Sequence, residues 1–246
     1  VRIALISDLH ANPLALQAVL DALADQAIDQ LICLGDVATL GPEPRPVLAM
    51  LRSLGCPCIL GNHDAFLLEP ELIHSYTEAP EVVEAVDWCQ TQLNDGDRAF
   101  LETFLPRLRV PLPGGRELLV FHGSPRSHME DLLESTDDQV LDTALDGHHA
   151  DVLAGGHTHL QLVREHRGML LVNPGSLGLP FAAFVSGRAP DILPRADYGI
   201  VVADADGVRF ETHSLDLDPD ALIAQLGSDY PLRDYVADCY RSNQKS

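Results

Sequence analysis

Five short apolar runs in this chain each end, within a few residues, at a side chain able to bind a metal ion. Residues 2–7 lead to Asp8 and His10, and residues 31–34 lead through Gly35 to Asp36. Residues 57–60 lead through Gly61 to Asn62 and His63, 117–121 to His122, and 151–154 to His157 and His159. Runs of this length and composition read as strands covered on both faces. Helix signals separate the first three. Asn12-Pro13 supplies an N-cap and a proline at the first helical position, and Leu16, Val19, Leu20 and Leu23 follow at helical spacing. A second helix is expected over Pro46–Leu54, stopped by Gly55. Strand alternating with helix through short links predicts right-handed crossovers and a mainly parallel sheet in this third of the chain. Parallel strands end at one edge, so the loops that carry these side chains converge there.

The residue types suit a pair of divalent ions. Two such ions about 3.5–4 Å apart repel each other, and a shared anionic bridge offsets that repulsion. Asp36, a carboxylate set behind a glycine, fits that place. Asp8-Leu9-His10 and His157-Thr158-His159 would each present two ligands on one side of an extended segment. Asn62 offers a neutral amide oxygen, which leaves a bound metal a stronger Lewis acid.

Elsewhere the sequence is less specific. Residues 65–110 read as acidic and helical, a cap-like insertion over the sheet edge. From about residue 116 strands dominate, with 161–165, 169–172, 198–203 and 208–213 joining those above, and Arg167-Gly168 and Asp206-Gly207 as hairpin turns. Residues 184–197 read as an exposed loop and about 218–246 as a C-terminal helical segment, all within one domain spanning 1–246. The 37 acidic against 16 basic residues give a formal charge of -21, which disfavours long nucleic acid as a partner. Five cysteines without disulfide or zinc-ribbon spacing read as reduced thiols. With no leader-like start and no membrane-length apolar stretch, the expectation is a cytoplasmic protein away from the membrane.

The ordered set Asp8-Leu9-His10, Gly35-Asp36, Gly61-Asn62-His63-Asp64, His122-Gly123 and Gly156-His157-Thr158-His159 resembles the calcineurin-like metallophosphoesterase superfamily. Weaker likeness continues through Asn173-Pro174-Gly175-Ser176. Gly41-Pro42-Glu43-Pro44 and His122-Gly123-Ser124-Pro125 look like its small prokaryotic phosphodiesterase branch. The resemblance implies a four-layer α-β-β-α sandwich with two mixed sheets. It implies Asp8, His10 and His159 on a first metal, Asn62, His122 and His157 on a second, and Asp36 bridging them. His63 would be the non-ligand histidine that gives a proton to the leaving oxygen, after attack by hydroxide held between the metals. Two divalent ions are expected, manganese first, with iron, zinc or nickel as alternatives. The substrate would be a phosphodiester or small nucleotide. A dinucleoside polyphosphate or a phosphomonoester is the alternative, and a non-catalytic interaction scaffold the third reading. In the phosphoprotein phosphatases and diadenosine tetraphosphatases an arginine follows the bridging aspartate closely. Here Val37-Ala38-Thr39-Leu40-Gly41 lacks it, leaving Arg45, Arg126 and Arg188 as replacements.

Overall fold

The computed structural model describes residues 1–185 and 187–243. Strand β1 (Arg2–Ile6) leads through α1 (Pro13–Leu23) to β2 (Gln30–Cys33) and α2 (Pro44–Leu54). A helical stretch follows, made of α3 (Asn62–Leu68), α4 (Ile73–Tyr76), α5 (Pro80–Gln92) and α6 (Asp95–Leu101). Next come β3 (Leu108–Leu112), β4 (Arg116–Val120), α7 (Asp138–Leu145), β5 (Val152–Ala154), β6 (Gln161–His166) and β7 (Met169–Pro174). The chain ends with β8 (Arg195–Ala203), β9 (Val208–Asp216), α8 (Pro219–Ala224) and α9 (Arg233–Ser242).

The strands form two mixed sheets, one in the order β2-β1-β8-β9 and the other β3-β4-β5-β7-β6. Within the first, β1 runs parallel to β2 and antiparallel to β8. Within the second, β4, β5 and β7 are mutually parallel neighbours, and β3 and β6 close its edges in antiparallel fashion. Alternation along β1 explains the layering. Ile3 and Leu5 enter a core between the sheets with Leu118, Val120, Val152 and Val172. Ala4 and Ile6 pack the opposite way, with Leu16 and Val19 of α1 and Leu48 and Leu51 of α2. Beyond the second sheet, Leu119, Leu153 and Leu171 meet Leu141 and Leu145 of α7. The result is helix, sheet, sheet, helix. Each fully buried Leu or Ile contributes about 1.5–3 kcal/mol, so β1, buried on both faces, anchors both inner layers.

Local signals act as expected at several points. The Asn12 side chain accepts a hydrogen bond from the Ala15 N–H, capping α1, and Gly55 ends α2 with a left-handed φ of 61°. Arg167 and Gly168, both at positive φ, turn β6 into β7.

Other expectations need correction. Residues 57–60 form no strand; they touch β2 and Leu105 through single bridges, because α3 begins at Asn62 before a ladder can extend. The first sheet is not mainly parallel, since β8 from late in the chain takes the other side of β1. The 184–197 segment is not wholly exposed: Ile192 is buried and bridges Phe181, and β8 starts at Arg195. The C-terminal segment is two helices, α8 and α9, with an irregular link between them. Residues 186 and 244–246 of these segments lie outside the described residues. Strand β3 and helix α7 had no counterpart in the sequence reading.

Candidate metal centre

The carboxyl ends of β1, β2, β4 and β5 deliver Asp8 with His10, Asp36, His122, and His157 with His159, while the first residues of α3 deliver Asn62 and His63. Each sheet thus contributes a parallel pair of strands to the same place. All eight side chains are buried, His157 the most exposed at 7%. Two groups of candidate donors stand out, Asp8, His10 and His159 in one and Asp36, His122 and His157 in the other, with the donor atoms of each within 4.8 Å of one another. Asn62 joins the second group: its Oδ1 lies 3.1 Å from His122 Nε2 and 2.9 Å from His157 Nδ1. Asp36 Oδ2 is 3.2 Å from His122 Nε2, and Asp8 Oδ1 is 3.4 Å from His159 Nε2 and 3.9 Å from His122 Nε2.

The hydrogen bonds test whether this set fits a metal. Carbonyl oxygens can only accept, so each imidazole facing one must donate from that nitrogen. His10 Nδ1 faces the Thr39 carbonyl at 3.2 Å, His122 Nδ1 that of Leu34 at 2.7 Å, and His159 Nδ1 that of Leu179 at 2.7 Å. In neutral rings this leaves the Nε2 lone pairs pointing inward. His10 and His159 then set two acceptors 3.0 Å apart. Asp8 Oδ1 is buried among them without a hydrogen-bond partner. Lone pairs converging with no donor between them fit a divalent cation, and the carbonyls are the usual outer partners that fix ligand tautomers.

Charges point the same way. Burial pulls His10 and His157 down to about 3, so both rings are neutral. Burial would raise Asp8, but His159 and His122 outweigh it and bring the carboxyl down to about 2. Asp36 is likewise held well below the usual range, burial being overcome by His122 and His63. His122 is the exception: burial opposes its charge, yet Asp36 and Asp8 push it up to about 10, and a field that holds a proton there favours a metal cation.

The backbone here is unusual. Asp8, His10, Asp36, His157 and His159 all have positive φ, between 41° and 70°. The extended Asp-x-His and His-x-His geometry expected from spacing is therefore absent, and left-handed turns aim these side chains instead. Such conformations cost about 1–3 kcal/mol each in non-glycine residues and concentrate where function requires them. Glycines make room for the carboxylates: a Cβ on Gly61 would sit 2.0 Å from Asp36 Oδ1, and one on Gly156 would sit 2.8 Å from Asp8 Oδ2.

Several positioning groups carried little or no signal in the sequence. Asp64 reaches from α3 to accept from the Asp36, Val37 and Gly61 N–H groups at 2.8, 2.9 and 3.0 Å. It both caps α3 and clamps the Asp36 loop, although burial and the Asp36 charge push its carboxyl up to about 7. Asn173 donates to the Gly156 carbonyl at 2.6 Å and Ser176 to that of Asp8 at 2.8 Å, so this segment braces loops from both sheets. Asp131 lies 3.5 Å from His157 Nε2.

His63 sits apart from both donor groups. Its N–H donates to Asp36 Oδ1 at 2.9 Å, its ring lies 5.3 Å from that of His10, and its buried Nδ1 has no hydrogen-bond partner among the described residues. Burial holds this imidazole below its ordinary range, with the Asp36 charge pulling the other way. Of the arginines named above, Arg45 pairs with Asp97 at 3.1 Å and Arg126 is tied to Glu130.

The calcineurin-like phosphoesterase superfamily domain matches residues 1–187, and the chain belongs to that superfamily. A metallophosphoesterase from Sphaerobacter thermophilus superposes with a TM-score of 0.71 at 26% identity, covering 96% of this chain and 100% of its own. An uncharacterized protein of Methanocaldococcus jannaschii is 29% identical over 72% of this chain and 76% of its own length. A symmetrical bis(5'-nucleosyl)-tetraphosphatase of Pseudomonas fluorescens is 35% identical, but only over 35% of each chain.

Proposed function

We propose that this chain is a hydrolase of phosphodiesters or small nucleotides that works with two divalent ions, manganese first and iron, zinc or nickel as alternatives. The observation that carries the reading is the convergence of buried lone pairs from Asp8, His10 and His159 with no donor between them. In this reading Asp8, His10 and His159 hold one ion, Asn62, His122 and His157 hold the other, and Asp36 is shared. Bound there, the ions would neutralise phosphate charge and acidify water enough to serve as a nucleophile at neutral pH.

The chain's own residues do the rest. The Thr39, Leu34 and Leu179 carbonyls keep three imidazoles in the tautomer that presents Nε2. Asp64 holds the Asp36 backbone N–H, and the His63 N–H holds the Asp36 carboxylate. His63, outside both donor groups, carries the proton that the leaving oxygen needs. We further assign residues 1–246 to one domain, with 65–110 as a cap beside the site, acting in the cytoplasm.

A dinucleoside polyphosphate substrate is the second reading, favoured by the partial similarity to the tetraphosphatase. The missing arginine after Asp36 stands against it. The test is to strip the protein of metal, restore manganese, and compare a chromogenic phosphodiester with its monoester. Faster diester turnover, lost on chelation, is expected; faster monoester turnover would overturn the diester assignment, and turnover untouched by chelation would overturn the metal centre.

A further inference from the structure

The last residue of α4, Tyr76, stands at the mouth of the ligand cluster and has no structural task that accounts for it. Its ring centroid lies 6.1 Å from His63, 6.0 Å from His157 and 5.7 Å from Phe66. The His63 contact is edge-on at 78°, and Phe66, fully buried, backs the ring from below. The tyrosine is thus held in place by rings on both sides of the site, one from α3 and one from the loop after β5. Yet 44% of it remains exposed, and its hydroxyl has no hydrogen-bond partner among the described residues.

Two other aromatics are already occupied. Phe181 stacks on His159 with centroids 4.1 Å apart, and Trp88 packs against Tyr230 at 5.7 Å. The exposed part of the Tyr76 ring is therefore an aromatic surface beside His63 and His157, against which a substituent on a phosphate held at the donor groups can lie.

We propose that Tyr76 is the specificity-determining residue of this site, receiving a flat aromatic group, such as a nucleobase, attached to the phosphate being hydrolysed. The assignment rests on the phosphoesterase reading for the position of the phosphate. Stacking on an aromatic ring is tolerant of base identity, so the selection is for flatness rather than for one base. Because Tyr76 adjoins His63, the group it receives lies on the leaving side.

Adenosine monophosphate and ribose 5-phosphate differ only in the base, and their dissociation constants can be measured on manganese-loaded protein by calorimetry. The wild-type protein is expected to bind the nucleotide about tenfold more tightly. Tyr76→Phe keeps that ratio, whereas Tyr76→Ala and Tyr76→Leu erase it; the leucine variant retains apolar packing should alanine unfold the segment. Equal binding of the two ligands by the wild type, or a ratio that survives in Tyr76→Leu, overturns the proposal. A ratio lost in Tyr76→Phe as well overturns stacking in favour of the hydroxyl. Turnover of a chromogenic diester, measured in parallel, separates the two layers. Turnover without the ratio sinks the Tyr76 assignment alone, and the ratio without turnover sinks the phosphoesterase reading alone.

Discussion

The ligand cluster and the helical stretch beside it are built on opposite rules. In the cluster every side chain is buried, and loops from two sheets are locked by carbonyls, an aspartate clamp and glycines that no larger residue could replace. In α3 to α6, Phe66, Ile73 and Val86 form a small core, while Glu69, Glu71, Glu81, Glu84 and Asp87 face solvent. The cluster tolerates almost no change of shape; the helical stretch exposes a surface that can change freely. On the reading proposed above, chemistry and selectivity would sit on elements with different constraints, an arrangement in which one reaction centre can serve many substrates.

That contrast can be broken at its rigid end first. Asp36→Asn keeps the volume but removes the anion that the proposed reading shares between the two ions. Bound metal, measured by elemental analysis, should fall severely, and turnover should drop by more than the roughly 10–100-fold typical of outer-shell changes. Full metal content in this variant would show that the cluster does not depend on its central charge. At the junction of the two regions, His63→Ala should retain metal and lose about 10²–10⁴-fold in rate, most severely with poor leaving groups. An equal loss for good and poor leaving groups would remove the proton-donor role. At the surface end, Glu84→Gln should shift stability by no more than about 0.5 kcal/mol and leave metal content alone. A larger shift in its denaturation midpoint would mean that the helical face is less free than its exposure implies.

The sequence made some of this readable and hid the rest for physical reasons. Asp8, His10, Asp36, Asn62, His122, His157 and His159 were readable because each follows an apolar run, and the runs are real strands except at 57–60. There the chain makes only single bridges, Cys58 to Cys33 and Ile59 to Leu105, before α3 begins at Asn62. The antiparallel neighbour of β1 was hidden because β8 comes some two hundred residues later, and strand order is not written in local pattern. Helix α7 was hidden because its eight residues carry only a short apolar stripe. The backbone carbonyls that orient the histidines leave no mark in a sequence, since any residue supplies one. The grip of Asp64 on the Asp36 loop depends on a contact across 28 positions, which no local pattern marks. Arg45 and Arg126, offered in place of the missing arginine, are paired with Asp97 and Glu130.

The left-handed turns at Asp8, His10, Asp36, His157 and His159 have a consequence for anyone who would engineer this protein. Selection for heat resistance alone would reward glycine or asparagine at these positions, because both relax the backbone there. On the proposed reading, such a campaign would converge on hardier proteins stripped of their metal ligands. A library meant to toughen the fold should hold these five codons fixed and draw its diversity from the acidic helices.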